Sequence, residues 1–369
     1  MRSHIDPGIH LVMGISGPDL TPDEITFIKE NQPAGIILFS RNIANLDQLQ
    51  SLLENISKIN YYPPAIWLDQ EGGRVQRIRD PLTRYPSALH LAHLEQADPD
   101  HALRLARIFG ELNARELASI GIHVNCAPVL DIHEPEADPV IGERAFGSSP
   151  QQVIRLAGAW LDGFENRGVL AVGKHFPGHG AARADSHKAL PVVTQSRDQL
   201  EKHELVPFKA LLNRLPALMT AHLIATGLDK SLPATWSAAT LEQLLRRTWQ
   251  YNGLIVSDAL EMGALTGTMT ERTKRAMLAG CDMVLCCTGR LEDAQQTLEG
   301  IAQAREQTPC IETTRHRIQR AFYPLLKQQS IPLHTLLDDE DYQLKRNQLE
   351  IIAQAGYSVD PTEPTTHPS

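Results

Sequence analysis

Apolar residues along this chain fall into short unbroken runs. Eight stand out: Ile9–Met13, Gly35–Phe39, Ala65–Leu68, His123–Val129, Leu170–Val172, Ala217–Thr220, Leu254–Val256 and Met283–Cys286. Runs that do not alternate with polar residues suit strands buried on both faces, as in a parallel sheet. Between them the apolar spacing turns helical. Leu105, Ile108, Phe109 and Leu112 mark one helical face, and Val153, Leu156, Ala157, Trp160 and Phe164 another. Thr21-Pro22-Asp23-Glu24 and Ser149-Pro150-Gln151-Gln152 read as capping boxes with proline at the first helical position. Gly121, Gly168, Gly253 and Gly280 each stand just before a strand. They are expected to end helices, because glycine reaches the left-handed conformation of a helix C-cap without a steric cost.

Eight strand–helix units in a chain of 369 residues predict an α/β fold, a single (β/α)₈ TIM-type barrel. The runner-up is an open doubly wound sheet. It lacks its dinucleotide fingerprint, since Gly14-Ile15-Ser16-Gly17 is too short a match. Residues from about 310 onward read as closing helices. Residues 1–357 are thus expected to form one domain, and the polar stretch 358–369 a disordered tail.

Barrel active sites lie where strands end, so polar residues there are candidates for chemistry. Strand three ends in Asp69-Gln70-Glu71-Gly72-Gly73-Arg74-Val75-Gln76-Arg77, and strand four leads to a loop with Gly142-Glu143-Arg144. Strand five stops at Lys174-His175, and strand seven at Asp258. Beyond His175 the chain runs through Pro177, Gly178, His179 and Gly180 to Asp185-Ser186-His187. Singly, each has a structural explanation: an aspartate caps a helix, an arginine pairs on the surface, a glycine serves a turn. Their agreement in position at successive strand ends favours one shared site.

His175 and His179 have the separation of two zinc ligands on a helix, but Pro177 and the glycines break any helix there. A zinc set of His175, His179, Asp185 and His187 stays open as an alternative. No phosphate loop or nucleophile elbow is present. The net charge of −9 argues against nucleic acid or an anionic membrane as the main partner. No apolar run reaches a membrane-spanning length, and Met1–Pro7 lacks the features of a secretory signal. Cys126, Cys281, Cys286, Cys287 and Cys310 have no metal or disulfide-framework spacing and are expected to be buried thiols. A cytoplasmic, monomeric enzyme is the expectation.

Lys174-His175-Phe176-Pro177-Gly178-His179-Gly180 followed by Asp185-Ser186-His187, with Asp69–Arg77 upstream and Ser257-Asp258 downstream, resembles glycoside hydrolase family 3. Within it, the chain is similar to the single-domain bacterial β-N-acetylglucosaminidases, over about residues 9–330 and including Ile37–Asn42. The resemblance implies removal of terminal N-acetylglucosamine from muropeptides, or a related amino-sugar glycoside, in cytosolic peptidoglycan recycling. It implies no metal and no organic cofactor. By it, Asp258 matches the nucleophile, His187 the general acid/base and Asp185 its orienting carboxylate. Asp69, Arg77, Arg144, Lys174 and His175 match residues that hold the sugar hydroxyls. Many relatives carry a second aspartate after the nucleophile, where this chain has Ala259. The competing readings are a broad β-glucosidase or a glycoside phosphorylase of the same family, and, from other classes, a metal-dependent amidohydrolase or a non-catalytic sugar-binding barrel.

Overall fold

Successive residues along the apolar runs face opposite ways, and both ways are buried. In the computed structural model, which describes residues 7–60, 62–182, 185–186, 189–307, 311–322, 325 and 331–356, the runs become β1 (Leu11–Gly14), β2 (Gly35–Leu38), β3 (Ala65–Leu68), β4 (Val124–Asn125), β5 (Leu170–Phe176), β6 (Ala217–Thr220), β7 (Leu254–Ala259) and β8 (Met283–Cys286). They close into a parallel barrel in chain order, β8 pairing with β1. The open doubly wound sheet is thereby excluded. Val12, Ile37, Trp67, Val124, Val172, Met219, Val256 and Leu285 fill the barrel interior. Their strand neighbours Leu11, Met13, Ile36, Leu38, Ile66 and Leu68 pack outward against the helices. That two-sided burial is why no polar alternation shows in the sequence. Gly35 makes room for the buried indole of Trp67, whose Nε1 would lie 2.4 Å from a Cβ at position 35.

The helical faces hold. Val153, Leu156, Ala157, Trp160 and Phe164 are buried on helix Pro150–Phe164, which crosses helix Pro99–Ser119 so closely that a Cβ on Gly110 would meet the Trp160 carbonyl. Thr21 and Glu24 form the expected reciprocal box. Ser149 does cap its helix, but Gln152 turns its side chain to the Ser148 amide and the Ala92 carbonyl, so no box closes there. Gly121, Gly168 and Gly280 adopt positive φ. Gly253 does not: Gln250 takes the left-handed position in that connection. Gly253 is needed for space, since a Cβ would fall 2.2 Å from the Tyr251 hydroxyl.

Strand four departs most from expectation. Pro128 has no amide to donate, so the ladder is irregular after Asn125. The chain still follows β5 through Val172 N to Ala127 O, Lys174 N to Pro128 O and Leu130 N to Lys174 O. Helices Ile311–Phe322, Leu333–Leu337 and Glu340–Gly356 form the expected closure. Tyr342 anchors the last of them on the buried Glu116 carboxylate, 2.8 Å away. Cys126, Cys281, Cys286 and Cys287 are buried free thiols. Cys310 and the stretch 358–369 lie outside the described residues. Among the described residues no helix is long and apolar enough to cross a membrane.

Candidate active site

A tight reversal after β3 brings the first group together. Gly72 and Gly73 at φ of 93° and 55° make the turn, and Gln70 pairs antiparallel with Gln76. The Gln70 side chain accepts the amides of Arg77 and Ile78, returning Arg77 to Asp69. The Arg77 guanidinium, lying 5.5 Å over the Phe39 ring, donates to Asp69 Oδ2 at 3.2 Å.

From β5, Lys174 Nζ reaches Asp69 Oδ1 at 2.8 Å and Glu71 Oε1 at 2.5 Å. Arg144 clamps Glu71 in two parallel bonds, Nε to Oε2 at 2.7 Å and Nη2 to Oε1 at 2.8 Å. Arg74 brings Arg144 there by donating to the Pro139 and Val140 carbonyls at 2.7 Å each. Arg144 Nη2 also lies 3.3 Å from His175 Nε2. On the far side of the His175 ring, Nδ1 is 2.6 Å from Asp131 Oδ2. The five predicted sugar-binding residues Asp69, Arg77, Arg144, Lys174 and His175 therefore belong to one hydrogen-bonded chain of groups at the C-terminal mouth.

Two of its members, Glu71 and Asp131, were not singled out from the sequence. Burial opposes charge on Glu71, but Arg144 and Lys174 outweigh it and draw its pKa down to about 2. Burial likewise disfavours the lysine charge, yet Asp69 and Glu71 hold Lys174 protonated well above its usual range. The Asp131 carboxylate is kept ionised against burial by His175 and by the His179 amide, which donates at 2.7 Å. Exposure separates roles within the cluster: Asp69 keeps 15 % of its side chain open and Arg144 11 %, whereas Lys174 and Glu71 lie beneath at 3 % and 4 %. Asp69 and Arg144 are the more open to a ligand, with Lys174 and Glu71 packed beneath them.

The loop after β5 is seated by close backbone approaches. A Cβ on Gly180 would lie 1.9 Å from the Ile132 carbonyl oxygen. His179 Nε2 meets the Ser186 hydroxyl at 3.0 Å. Burial, only partly offset by Asp131, lowers the His179 pKa to about 4. A histidine with a depressed pKa contributes stability that is complete above ~6.5 and is lost as pH falls toward the folded value. His179→Gln is therefore expected to gain on the wild type by on the order of 3 kcal/mol between pH 6.5 and 4. Urea titrations across that window measure it, and parallel pH curves for the two proteins would refute it.

Asp258 stands at the end of β7, where the register with β8 shifts between Val256 and Ala259. The Ser257 hydroxyl accepts the Leu285 amide at 3.1 Å across that irregularity. Asp258 Oδ1 accepts the Ala259 amide at 2.8 Å, and His222 on the neighbouring strand end lies 2.9 Å from the Ala259 carbonyl oxygen. Asp69, Lys174, Asp258 and Glu71 all act electrostatically on the buried Cys126 thiol. Ala259 supplies no second carboxylate, but Glu261 brings one nearby. Burial raises its pKa to about 7, with Asp258 adding to the effect, and Glu261 Oε1 accepts the Cys287 amide at 3.0 Å.

Asp185 is half-buried and its carbonyl accepts the Ala189 amide at 3.0 Å. His187 lies outside the described residues. The Ser186 carbonyl accepts the Ala264 amide at 3.1 Å, tying this loop to the one that follows Asp258.

Known proteins share this architecture along most of its length. A β-hexosaminidase of Alkalilimnicola ehrlichii is 44% identical over 280 residues, covering 75% of this chain and 80% of its own. The glycoside hydrolase family 3 β-N-acetylglucosaminidase of Paenibacillus sp. superposes with a TM-score of 0.85 at 31% identity, over 94% of this chain and 68% of that one. Native NagZ of Neisseria gonorrhoeae gives a TM-score of 0.81 at 32% identity, over 95% and 99%. The sequence profile of the glycosyl hydrolase family 3 N terminal domain matches residues 12–321, a span that takes in every strand but for Leu11 of β1 and every strand-end residue described above, and the chain belongs to that family.

Proposed function

We propose that this protein is a retaining β-N-acetylhexosaminidase that releases terminal β-linked N-acetylglucosamine through a covalent glycosyl-aspartate intermediate on Asp258. Its membership of family 3 and its similarity to β-hexosaminidases support the glycosidase activity. Support for the mechanism comes above all from the Ser186–Ala264 hydrogen bond, which couples the Asp185–His187 loop to the segment carrying Asp258.

The sugar ring rests on Asp69, Arg77, Arg144, Lys174 and His175, whose charge-assisted hydrogen bonds hold its hydroxyls. With Nδ1–H directed at Asp131, His175 Nε2 is the acceptor that Arg144 Nη2 approaches at 3.3 Å. In the first step Asp258 attacks the anomeric carbon while protonated His187 gives its proton to the departing glycosidic oxygen. In the second, neutral His187 takes a proton from water, the oxygen attacks the same carbon, and the ester to Asp258 breaks. Two displacements on one carbon retain its configuration. An imidazole titrates near ~6.5, so it serves both steps close to neutrality, and Asp185 orients it as a carboxylate orients the histidine of a serine-protease triad. Muropeptides of cytosolic peptidoglycan recycling are the proposed natural substrates, with water as acceptor.

A fluorinated N-acetylglucosaminyl substrate tests the reading. It should add one sugar to the peptide containing Asp258, and labelling of any other peptide would overturn it. His187→Ala should lower kcat/KM by ~10²–10⁴-fold on substrates with poor leaving groups and much less on activated aryl glycosides. Equal losses across the leaving-group series would remove His187 from the acid role. Preference for an aryl glucoside over an aryl N-acetylglucosaminide would redirect the assignment to a β-glucosidase.

A further inference from the structure

Behind the sugar-binding residues, on the far side of Asp131, lies a group of side chains that the hydrolysis does not use. Glu134 follows Asp131 by three positions, and His203 and Glu204 form the corner between helices Arg197–Lys202 and Leu205–Leu211. His203 Nε2 is 3.8 Å from Glu134 Oε1, and His203 Nδ1 is 3.3 Å from Glu204 Oε2. One potential ligand atom from each residue lies within 4.8 Å of the other two.

Glu204 is what makes this more than a surface ion pair. Its side chain is 1 % exposed and turned toward the His203 ring. Oε1 takes a bond from Gln195 Nε2 at 3.3 Å, but Oε2 is buried with no hydrogen bond of its own. A buried carboxylate oxygen left in that state is costly unless a cation satisfies it. Burial pushes this carboxyl up in pKa, Glu134 and Asp131 adding to it and His203 opposing it. Glu134 and His203 remain 40 % and 38 % exposed, which leaves an entry path from solvent.

We propose that Glu134, His203 and Glu204 form a divalent-metal site of the zinc class, separate from the sugar-binding residues. One imidazole and two carboxylates match the nitrogen and oxygen ligands of zinc-type ions, whereas calcium and magnesium favour oxygen alone. Metal–ligand bonds of ~2.0–2.2 Å require the three atoms to draw inward, which the two exposed side chains allow. The site would brace the catalytic platform. Asp131, three residues from Glu134, holds His175 and His179, and Gly178 packs so closely on Glu204 that a Cβ there would lie 2.9 Å from the Glu204 Cβ.

Calorimetric titration of the full chain with zinc, and with cobalt followed by visible absorption, tests the site. The wild type and Asp258→Asn should each bind one ion with similar affinity, and cobalt should give the intense bands of a four-coordinate centre. Glu134→Gln and His203→Gln should each weaken binding at least tenfold, and should lose the rise in thermal midpoint that zinc gives the wild type. Unchanged affinity in Glu134→Gln would overturn the site, as would binding abolished by Asp258→Asn. Glu134 is half-exposed, so that variant decides the matter even if His203→Gln fails to fold. Because the readout is metal binding, it stands or falls independently of the nucleophile assignment.

Discussion

Asp258→Asn is expected to leave a folded protein whose kcat on an aryl N-acetylglucosaminide has fallen by at least ~10⁴-fold, about 5 kcal/mol of lost transition-state stabilisation. The substitution is nearly isosteric. Its amide oxygen can still accept the Ala259 amide that Asp258 Oδ1 holds at 2.8 Å, and the Ser257 bond that staples β7 to β8 is untouched. What disappears is the anionic oxygen proposed to attack the anomeric carbon. A thermal midpoint recorded on the same preparation shows that the variant is folded. Binding of N-acetylglucosamine itself, measured by calorimetry, should persist, because its proposed ligands lie in the segment after β3, on β5 and in the 142–144 turn. Activity within tenfold of wild type would mean that another group forms the intermediate. Loss of activity accompanied by loss of fold would instead assign Asp258 a structural role.

The barrel was legible because its pattern is set by burial alone. Each strand is covered on both faces, so the apolar runs appear without interruption, and the strands pair in the order in which they occur. Strand ends were less legible, since hydrogen bonding decides them: β5 continues to Phe176 because Lys174 pairs with Pro128 and Leu130. Gly253 was misread because steric demand from Tyr251 and a left-handed φ select the same residue type. In the site, charged residues at strand ends were recognised as a set. Glu71 drew no role of its own within the Asp69–Arg77 segment, although it lies only two positions beyond Asp69. Asp131 falls just beyond the expected end of strand four and carried the same positional signal as Asp258. Glu261 had none, because its nearness to Asp258 depends on how the chain bends after β7.

Glu71→Gln carries the largest expected effect on stability. The carboxylate sits between Lys174 and Arg144 with 4 % of its side chain exposed. Neutralising it leaves Asp69 as the remaining close carboxylate for Lys174, and leaves Arg144 at most one of its two parallel bonds, to the glutamine carbonyl oxygen. Removing one partner of a buried pair costs about 3–5 kcal/mol, because the stranded charge stays desolvated. kcat/KM should fall as well, since Arg144 then has no fixed direction. Asp69→Asn should cost less stability, its side chain being 15 % open to water. The sign with pH gives an independent check. A carboxyl whose pKa drops from 4.5 to about 2 on folding contributes stability that is complete above pH 4.5 and disappears as pH falls through the folded value. The gap between wild type and Glu71→Gln should therefore be constant from pH 7 to 5 and narrow by about 3 kcal/mol toward pH 2. A gap unchanged between pH 5 and 3 would show that the destabilisation arises from lost packing or hydrogen-bond geometry, and that the charge on Glu71 contributes little to holding the sugar-binding residues in place.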